Sequence, residues 1–319
     1  MRVLVTGGSG FIGGAVISRL LTAGHSVVAL DRRWRPEQYS DGVDIHVGDI
    51  RDEVAVTESV AHVDGVIHLA GVLGTAETVK NPVPSVQTNI LGGLNVLSAV
   101  SQYQVPCVNI AVGNWWESSS YSITKNTVER FAKMHRKFLG TPVTTVRALN
   151  AVGPGQSVAA PFGTSKVRKI GPSFICRALT GQPIEVYGSG EQIMDIIHVG
   201  DVAEVLVAAL EATAQDGGLE TVLEAGTGAN TSVNQIAQVV ADQVQEVYST
   251  SVEITHIPLR DGETPGAIVQ ADTATLQALK PFGVDPEMFR TLEQVMEDTI
   301  PYYHGYLSRH PKWKEHLAC

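Results

Sequence analysis

The chain reads as α/β, a doubly wound parallel sheet with a smaller C-terminal substrate-binding lobe. Three observations predict this. Short apolar runs alternate with helically periodic segments through the first half. A glycine-rich turn, Thr6–Gly13, joins the first run to the first helix, and an acid, Asp31, closes the second run. Parallel strands need crossover connections, and a right-handed helical crossover satisfies the alternation.

In chain order, strands are expected at Arg2–Thr6, Ser26–Leu30, Asp44–Val47, Gly65–Leu69, Cys107–Ala111, Val143–Leu149 and Thr221–Glu224. Most are short apolar runs of the kind that lies buried on both faces of a parallel sheet, while Asp44–Val47 and Thr221–Glu224 mix polar and apolar residues. Helical periodicity is readable at Gly13–Ala23, Gln87–Gln102 and Ser122–Phe138. From about Asn150 the texture changes. Gly153–Gly155 and Pro161–Gly163 read as loop, followed by helix Pro172–Leu179, strand Ile184–Tyr187, helices Val199–Glu211 and Ser232–Gln243, and strand Val252–Ile257. The tail from Tyr302 to Cys319 is aromatic and charged without a clear period. The expected division is residues 1–149, with the strand near 221–225, for the sheet domain and mainly 150–319 for the substrate-binding lobe.

Bulk properties agree with a compact globular protein: 319 residues, 44% hydrophobic and 18% charged. A formal charge of −10 disfavours nucleic acid or an anionic membrane as partner, since both attract basic surfaces. The three cysteines, Cys107, Cys176 and Cys319, are far apart and odd in number, so neither a disulfide framework nor a Cys-rich metal site is expected. No metal is expected. No leader and no membrane-spanning run is read from the sequence, which makes the cytoplasm the default compartment.

The turn Thr6–Gly13 has a physical use. Glycines let the chain turn tightly, let backbone approach a pyrophosphate and let helix pack on strand, while the helix N-terminus attracts the phosphate charge. Asp31 follows about 20 residues later, at the end of the second strand, where a carboxylate binds both ribose hydroxyls. Together these describe a Rossmann dinucleotide site. The Asp31 carboxylate would repel a 2′-phosphate, so NAD is expected; Arg32 and Arg33 leave NADP as the alternative. Gly7, Gly10, Phe11, Ile12 and Gly13 form the phosphate turn. Asp49 and Ile50 follow the third strand, suited to adenine, although Asp49 equally reads as a turn cap. Leu69, Ala70 and Gly71 end the fourth strand, where small residues let backbone pass close to a cofactor.

These segments, together with Asn89, Tyr121–Lys125, Arg147–Gly155, Tyr187–Gly190, Asp195–Asp201 and Arg260–Pro265, resemble the extended short-chain dehydrogenase/reductases, and within them the nucleotide-sugar epimerases and dehydratases. The resemblance runs over nearly the whole chain. It implies that Tyr121 and Lys125 are catalytic and also contact the cofactor, that Asn150 and Arg260 hold the substrate diphosphate, and that helices Gln87–Gln102 and Ser122–Phe138 form a homodimer contact.

Tyr121 and Lys125 are four residues apart and so share one helix face. A free phenol has a pKa of about 10; a neighbouring ammonium and a positive nicotinamide would both lower it, allowing Tyr121 to take a sugar hydroxyl proton while hydride leaves the same carbon. The pattern departs from the family in three places. Gly113 or Asn114 stands where relatives carry a Ser or Thr that bonds the reacting oxygen, with Asn114, Thr75 and the Ser118–Ser120 run as candidate substitutes. The Asp-Glu pair of the 4,6-dehydratases is missing, and Glu117, the one acid close by, reads as a solvated loop residue. Met194 replaces a diphosphate-clamping Arg, for which Lys166, Arg168 and Lys169 could compensate.

The sequence therefore favours an NAD-dependent nucleotide-sugar epimerase of carbohydrate metabolism, acting at C4. A dehydratase or decarboxylase using the same transient ketone, an NAD(P)-dependent reductase, and a non-catalytic dinucleotide sensor are the alternatives.

Overall fold

The computed structural model describes residues 1–33, 42–311 and 313. Cys319 and the end of the aromatic tail lie outside the described residues.

Seven parallel strands form the main sheet. They are β1 Arg2–Thr6, β2 Ser26–Asp31, β3 Val43–Val47, β4 Gly65–His68, β5 Cys107–Val112, β6 Val143–Ala148 and, after a second set of elements, β11 Leu223–Ala225; their order across the sheet is β11-β6-β5-β4-β1-β2-β3. The order reverses direction between β1 and β4, which leaves a crevice at the carboxyl ends of these strands. Every strand expected from sequence is present, with ends moved by at most two residues. Val3, Leu4 and Val5 are fully buried because helices cover both faces of the sheet.

The helices of this half are α1 Phe11–Thr22, α2 Glu53–Val60, α3 Thr75–Val79, α4 Val83–Ser85, α5 Gly93–Tyr103 and α6 Ser120–Leu139. A π-helical stretch, Val86–Gly92, links α4 to α5. Helix α2 was not legible from periodicity, because its apolar face is short; its start is marked by Asp52, whose carboxylate accepts from the Val54 and Ala55 N–H groups. Helix α6 is bounded by an N-cap, Ser119, accepting from Ser122 N, and by Gly140 in the left-handed conformation.

The remaining elements are β7 Asn150–Val152, α7 Ile170–Leu179, β8 Ile184–Tyr187, β9 Ile193–Met194, β10 Ile196–His198, α8 Val199–Asp216, α9 Val233–Tyr248, β12 Ile254–Ile257, β13 Ile268–Val269 and α10 Leu292–Arg309. Three two-stranded parallel sheets, β10-β7, β12-β8 and β13-β9, organise this region. Its core joins α7, α9 and α10 through Phe174, Ile236, Val240, Met296 and Tyr303. Helix α8 belongs to the other core: Val202, Leu206 and Leu210 pack with Val5, Ile17 and Ile67 against the main sheet.

The tail corrects a sequence expectation. Tyr302–Arg309 is helical, the end of α10, with a capping box at Thr291 and Gln294. Its buried stripe, Val295, Met296, Thr299, Ile300, Tyr303 and Leu307, begins upstream of Tyr302, so the stretch taken alone conceals the period. Among the described residues no helix is long and apolar enough to cross a membrane.

Candidate active site

A cleft of about 780 Å³ opens along the carboxyl ends of the main strands. One end is walled by the glycine turn. Gly7 adopts φ +74°, and a Cβ there would lie 2.8 Å from Ala70 N; a Cβ on Gly13 would lie 2.7 Å from Gly8 O. The backbone is thus packed against itself with no room for side chains, which leaves the start of α1 bare. N-cap Gly10 gives the first N–H groups of α1 no side-chain partner, the arrangement that receives a phosphate. Asp31, at the end of β2, accepts from Ser9 N at 3.2 Å and Arg33 N at 3.3 Å, and its carboxylate borders the cleft beside Arg32.

Asp49 also lines the cleft but is committed to Arg51, accepting from its backbone N at 2.9 Å and from Nη2 at 2.7 Å. This bond holds its carboxyl below the usual range. The turn-capping role read as the alternative for Asp49 is therefore present in the structure. Ile50, Leu69, Ala70 and Gly71 line the same wall, as do Phe11 and Ile12.

Tyr121 and Lys125 border the other end of the cleft. Two elements position them. Thr78 Oγ1 accepts from Tyr121 N at 3.1 Å, tying α3 to the first turn of α6. Asn89, buried in the π-helical stretch, accepts from Val72 N at 2.7 Å and donates to Val72 O at 3.1 Å and to Thr124 Oγ1 at 2.9 Å. Lys125, 4% exposed, is paired with no carboxylate among the described residues, and burial lowers its pKa to about 8. Burial also holds the Tyr121 phenol above its ordinary value. The protein's own matrix thus acts against the expected lowering, because desolvation disfavours the phenolate. His68 is buried, pairs with Thr6 Oγ1 at 2.7 Å through Nδ1, and is held neutral, its pKa lowered to about 3 by burial and then by Lys125.

Asn150 lines the cleft after β6 and donates from Nδ2 to Asp195 O at 3.1 Å. Arg260 does not line the cleft. It borders a smaller adjoining cavity of about 70 Å³ with Arg168, Lys169, Tyr187, Met194 and Glu263. Its guanidinium binds Glu263 through Nε at 2.8 Å and lies over the Tyr187 ring at 4.7 Å; Arg168 lies over the same ring at 5.1 Å and pairs with Glu185 at 2.9 Å. Lys169 borders both cavities, and burial lowers its pKa. Of the basic cluster, only Lys166 is exposed, Arg168 and Lys169 being half-buried.

One loop expectation changes. Glu117 is buried, not solvated; it accepts from Asn114 Nδ2 at 2.5 Å, and desolvation raises its pKa. Trp115 and Trp116 are exposed and line neither cavity, Trp115 lying under the Arg147 guanidinium at 4.7 Å. The sequence carried no periodic signal for Glu117, because its burial depends on chain segments distant in sequence. Asp195 is fully buried and accepts from Thr227 N, Gly228 N and Ala271 N.

Comparison with known proteins places this geometry. A model of the NAD dependent epimerase/dehydratase family matches residues 3–223. A putative UDP-glucose 4-epimerase of Methanocaldococcus jannaschii is 26% identical over 266 residues, 76% of this chain and 82% of that protein. A UDP-N-acetyl-alpha-D-glucosaminuronate decarboxylase of Bacillus cytotoxicus is 26% identical over 282 residues, 81% of this chain and 83% of that protein. The crystal structure of Thermus thermophilus UDP-glucose 4-epimerase in complex with NAD is 27% identical, with a TM-score of 0.79 over 96% of this chain and 99% of that one.

Proposed function

The chain belongs to the NAD dependent epimerase/dehydratase family, and from that premise we propose that it is a nucleotide-sugar epimerase acting at C4 of an NDP-hexose. The residues at the glycine end fit NAD: the Gly7–Gly13 backbone leaves α1 bare for the pyrophosphate, and Asp31 is available to the adenine ribose. Bound there, the dinucleotide supplies reversible hydride acceptance at a sugar carbon.

Tyr121 removes the C4 hydroxyl proton as that carbon is oxidised and returns a proton when it is reduced on the opposite face. Lys125 supplies positive charge beside it and a donor to the nicotinamide ribose. Asn150 contacts the substrate diphosphate from the cleft, and Arg260 reaches it from the adjoining cavity.

One observation carries the choice of epimerase over dehydratase. Among the described residues, the only acidic side chains lining the cleft are Asp31, the last residue of β2, and Asp49, just after β3, and both strands lie on the other side of β1 from β5, the strand that leads to Tyr121. Elimination of water through the same ketone calls for a base at the neighbouring carbon and an acid on the leaving hydroxyl, whereas loss of carbon dioxide needs only the ketone as electron sink and is separated from epimerisation by the product assay below. Glu117 is bonded to Asn114 and does not line the cleft.

A homodimer is part of the proposal. Val83, Leu91, Ile123 and Phe138 are exposed on the helical segments 83–103 and 120–139, and pairing these segments would cover them.

The test is incubation of the purified protein with UDP-, dTDP- and GDP-hexoses, with products read by chromatography and mass spectrometry. An isomer of unchanged mass is expected. Loss of water or carbon dioxide would transfer the protein to the lyases, and inertness toward every sugar would favour a dinucleotide sensor.

A further inference from the structure

Oxidising a sugar alcohol turns its hydroxyl oxygen into a carbonyl oxygen, so the charge on that atom changes during each half-reaction. Such an atom needs a fixed hydrogen-bond partner besides the acid/base. The wall of the cleft formed by the end of β5 is Ile110, Ala111, Val112, Gly113 and Asn114, apolar except for its last member. Gly113 has no room to carry a hydroxyl. A Cβ built there lies 2.9 Å from Leu149 Cγ and 3.1 Å from Val269 Cγ1, so these two side chains have closed the space.

Asn114 is held differently from an ordinary loop amide. Its backbone carbonyl accepts from Glu117 N at 3.0 Å, closing a turn, and its Nδ2 donates to Glu117 Oε2 at 2.5 Å. Glu117 is buried, so this anchor is fixed. An ionised carboxylate can only accept, which dictates that the amide nitrogen, not the oxygen, faces it. One N–H is thereby committed, and among the described residues no group takes the second. The Ser118–Ser120 run is less suited: Ser118 is exposed, and buried Ser119 is committed to capping α6.

We propose that Asn114 donates its second amide N–H to the sugar oxygen on which Tyr121 acts, and that Glu117 is the positioning residue that fixes the amide in that orientation. The inference rests on the epimerase reading above and names the group that completes its oxygen site. No bond to Asn114 or Glu117 is made or broken in the cycle, and the proton remains the business of Tyr121.

The experiment uses the full chain with its retained dinucleotide and whichever UDP-, dTDP- or GDP-hexose the unsubstituted protein isomerises. Asn114→Ala is expected to lower kcat about 100-fold. Calorimetric affinity for the nucleotide sugar should stay within about threefold and dinucleotide content should not change. Glu117→Ala should lower kcat about tenfold or more, and Glu117→Gln, whose carbonyl can still accept from Asn114, should recover most of that loss. Retained dinucleotide content in all three shows that a loss is not unfolding.

Three results would overturn the assignment. They are an Asn114→Ala enzyme of normal kcat, a Glu117→Gln enzyme as inactive as Tyr121→Phe, which would make Glu117 itself the proton carrier, and a loss on Thr75→Val equal to that of Asn114→Ala. Absence of any isomer with the unsubstituted protein would instead overturn the reading on which the proposal stands.

Discussion

Asn89 donates to Thr124 at 2.9 Å, and through that bond the loop after β4 is fastened to the helix turn that carries Tyr121 and Lys125. The same amide accepts from Val72 N and donates to Val72 O, so one buried side chain joins the cofactor wall to the catalytic helix. Asn89→Ala strands both Val72 groups and should cost about 3 kcal/mol of stability, since part-buried polar groups lose their partners. Urea unfolding would measure it. A change under about 0.5 kcal/mol would mean that water replaces the amide without loss.

Tyr121→Phe removes only the phenol oxygen. Turnover should fall by about 1,000-fold while dinucleotide stays bound and the melting temperature holds. Isomerisation at a near-normal rate would remove Tyr121 from its assigned role.

Lys125 gives a pH-dependent stability with a defined sign. Its folded-state pKa of about 8 lies below the ordinary 10.5, so between those values the unfolded chain binds more protons and stability rises with pH. Below pH 8 the cost of burying the ammonium is fully present. Lys125→Met should therefore stabilise the dinucleotide-free protein at neutral pH by on the order of 3 kcal/mol, with the gain shrinking as pH rises from 8 to above 10. Denaturant melts across that range check it, and a pH-independent difference would assign the effect to packing.

At the other end of the cleft, Asp31 sets cofactor choice by charge. Asp31→Asn should raise affinity for NADP relative to NAD by about tenfold, because the carboxylate that repels a 2′-phosphate is gone. Fluorescence titration with both dinucleotides reads the ratio.

Gly13→Ala places a Cβ 2.7 Å from Gly8 O, against backbone that cannot move aside. Loss of bound dinucleotide is expected, with a drop in stability of about 1–3 kcal/mol. Gly24→Ala is the contrast: its Cβ would meet no atom within 4 Å, and only the φ of +79° is strained.

What could be read without coordinates was local. Most of the seven strands declare themselves as short apolar runs, the edge strand β3 with its Asp44 and His46 being mixed and mostly exposed, and Thr6–Gly13 and Asp31 stand at fixed places relative to two of them. Spacing puts Tyr121 and Lys125 on one helix face, and the resemblance to the extended short-chain dehydrogenase/reductases singled them out as a pair. What could not be read depended on a segment's neighbours. Helix α2 has too small an apolar face to show a period, and α10 begins its buried stripe before the stretch in which it was sought.

The acidic loop residue shows the same limit most sharply. By composition Glu117 is a solvated side chain; in the fold it is buried and anchors Asn114 beside the cleft. The sequence alone determined the sheet, its cofactor turn and the face that carries the phenol, because these follow from periodicity, glycine sterics and spacing along one element. Tertiary structure alone decided which polar groups are desolvated and what holds them. Burial is a property of surfaces brought together from distant parts of the chain, and desolvation raises Glu117 and lowers Lys125 only once those surfaces have met.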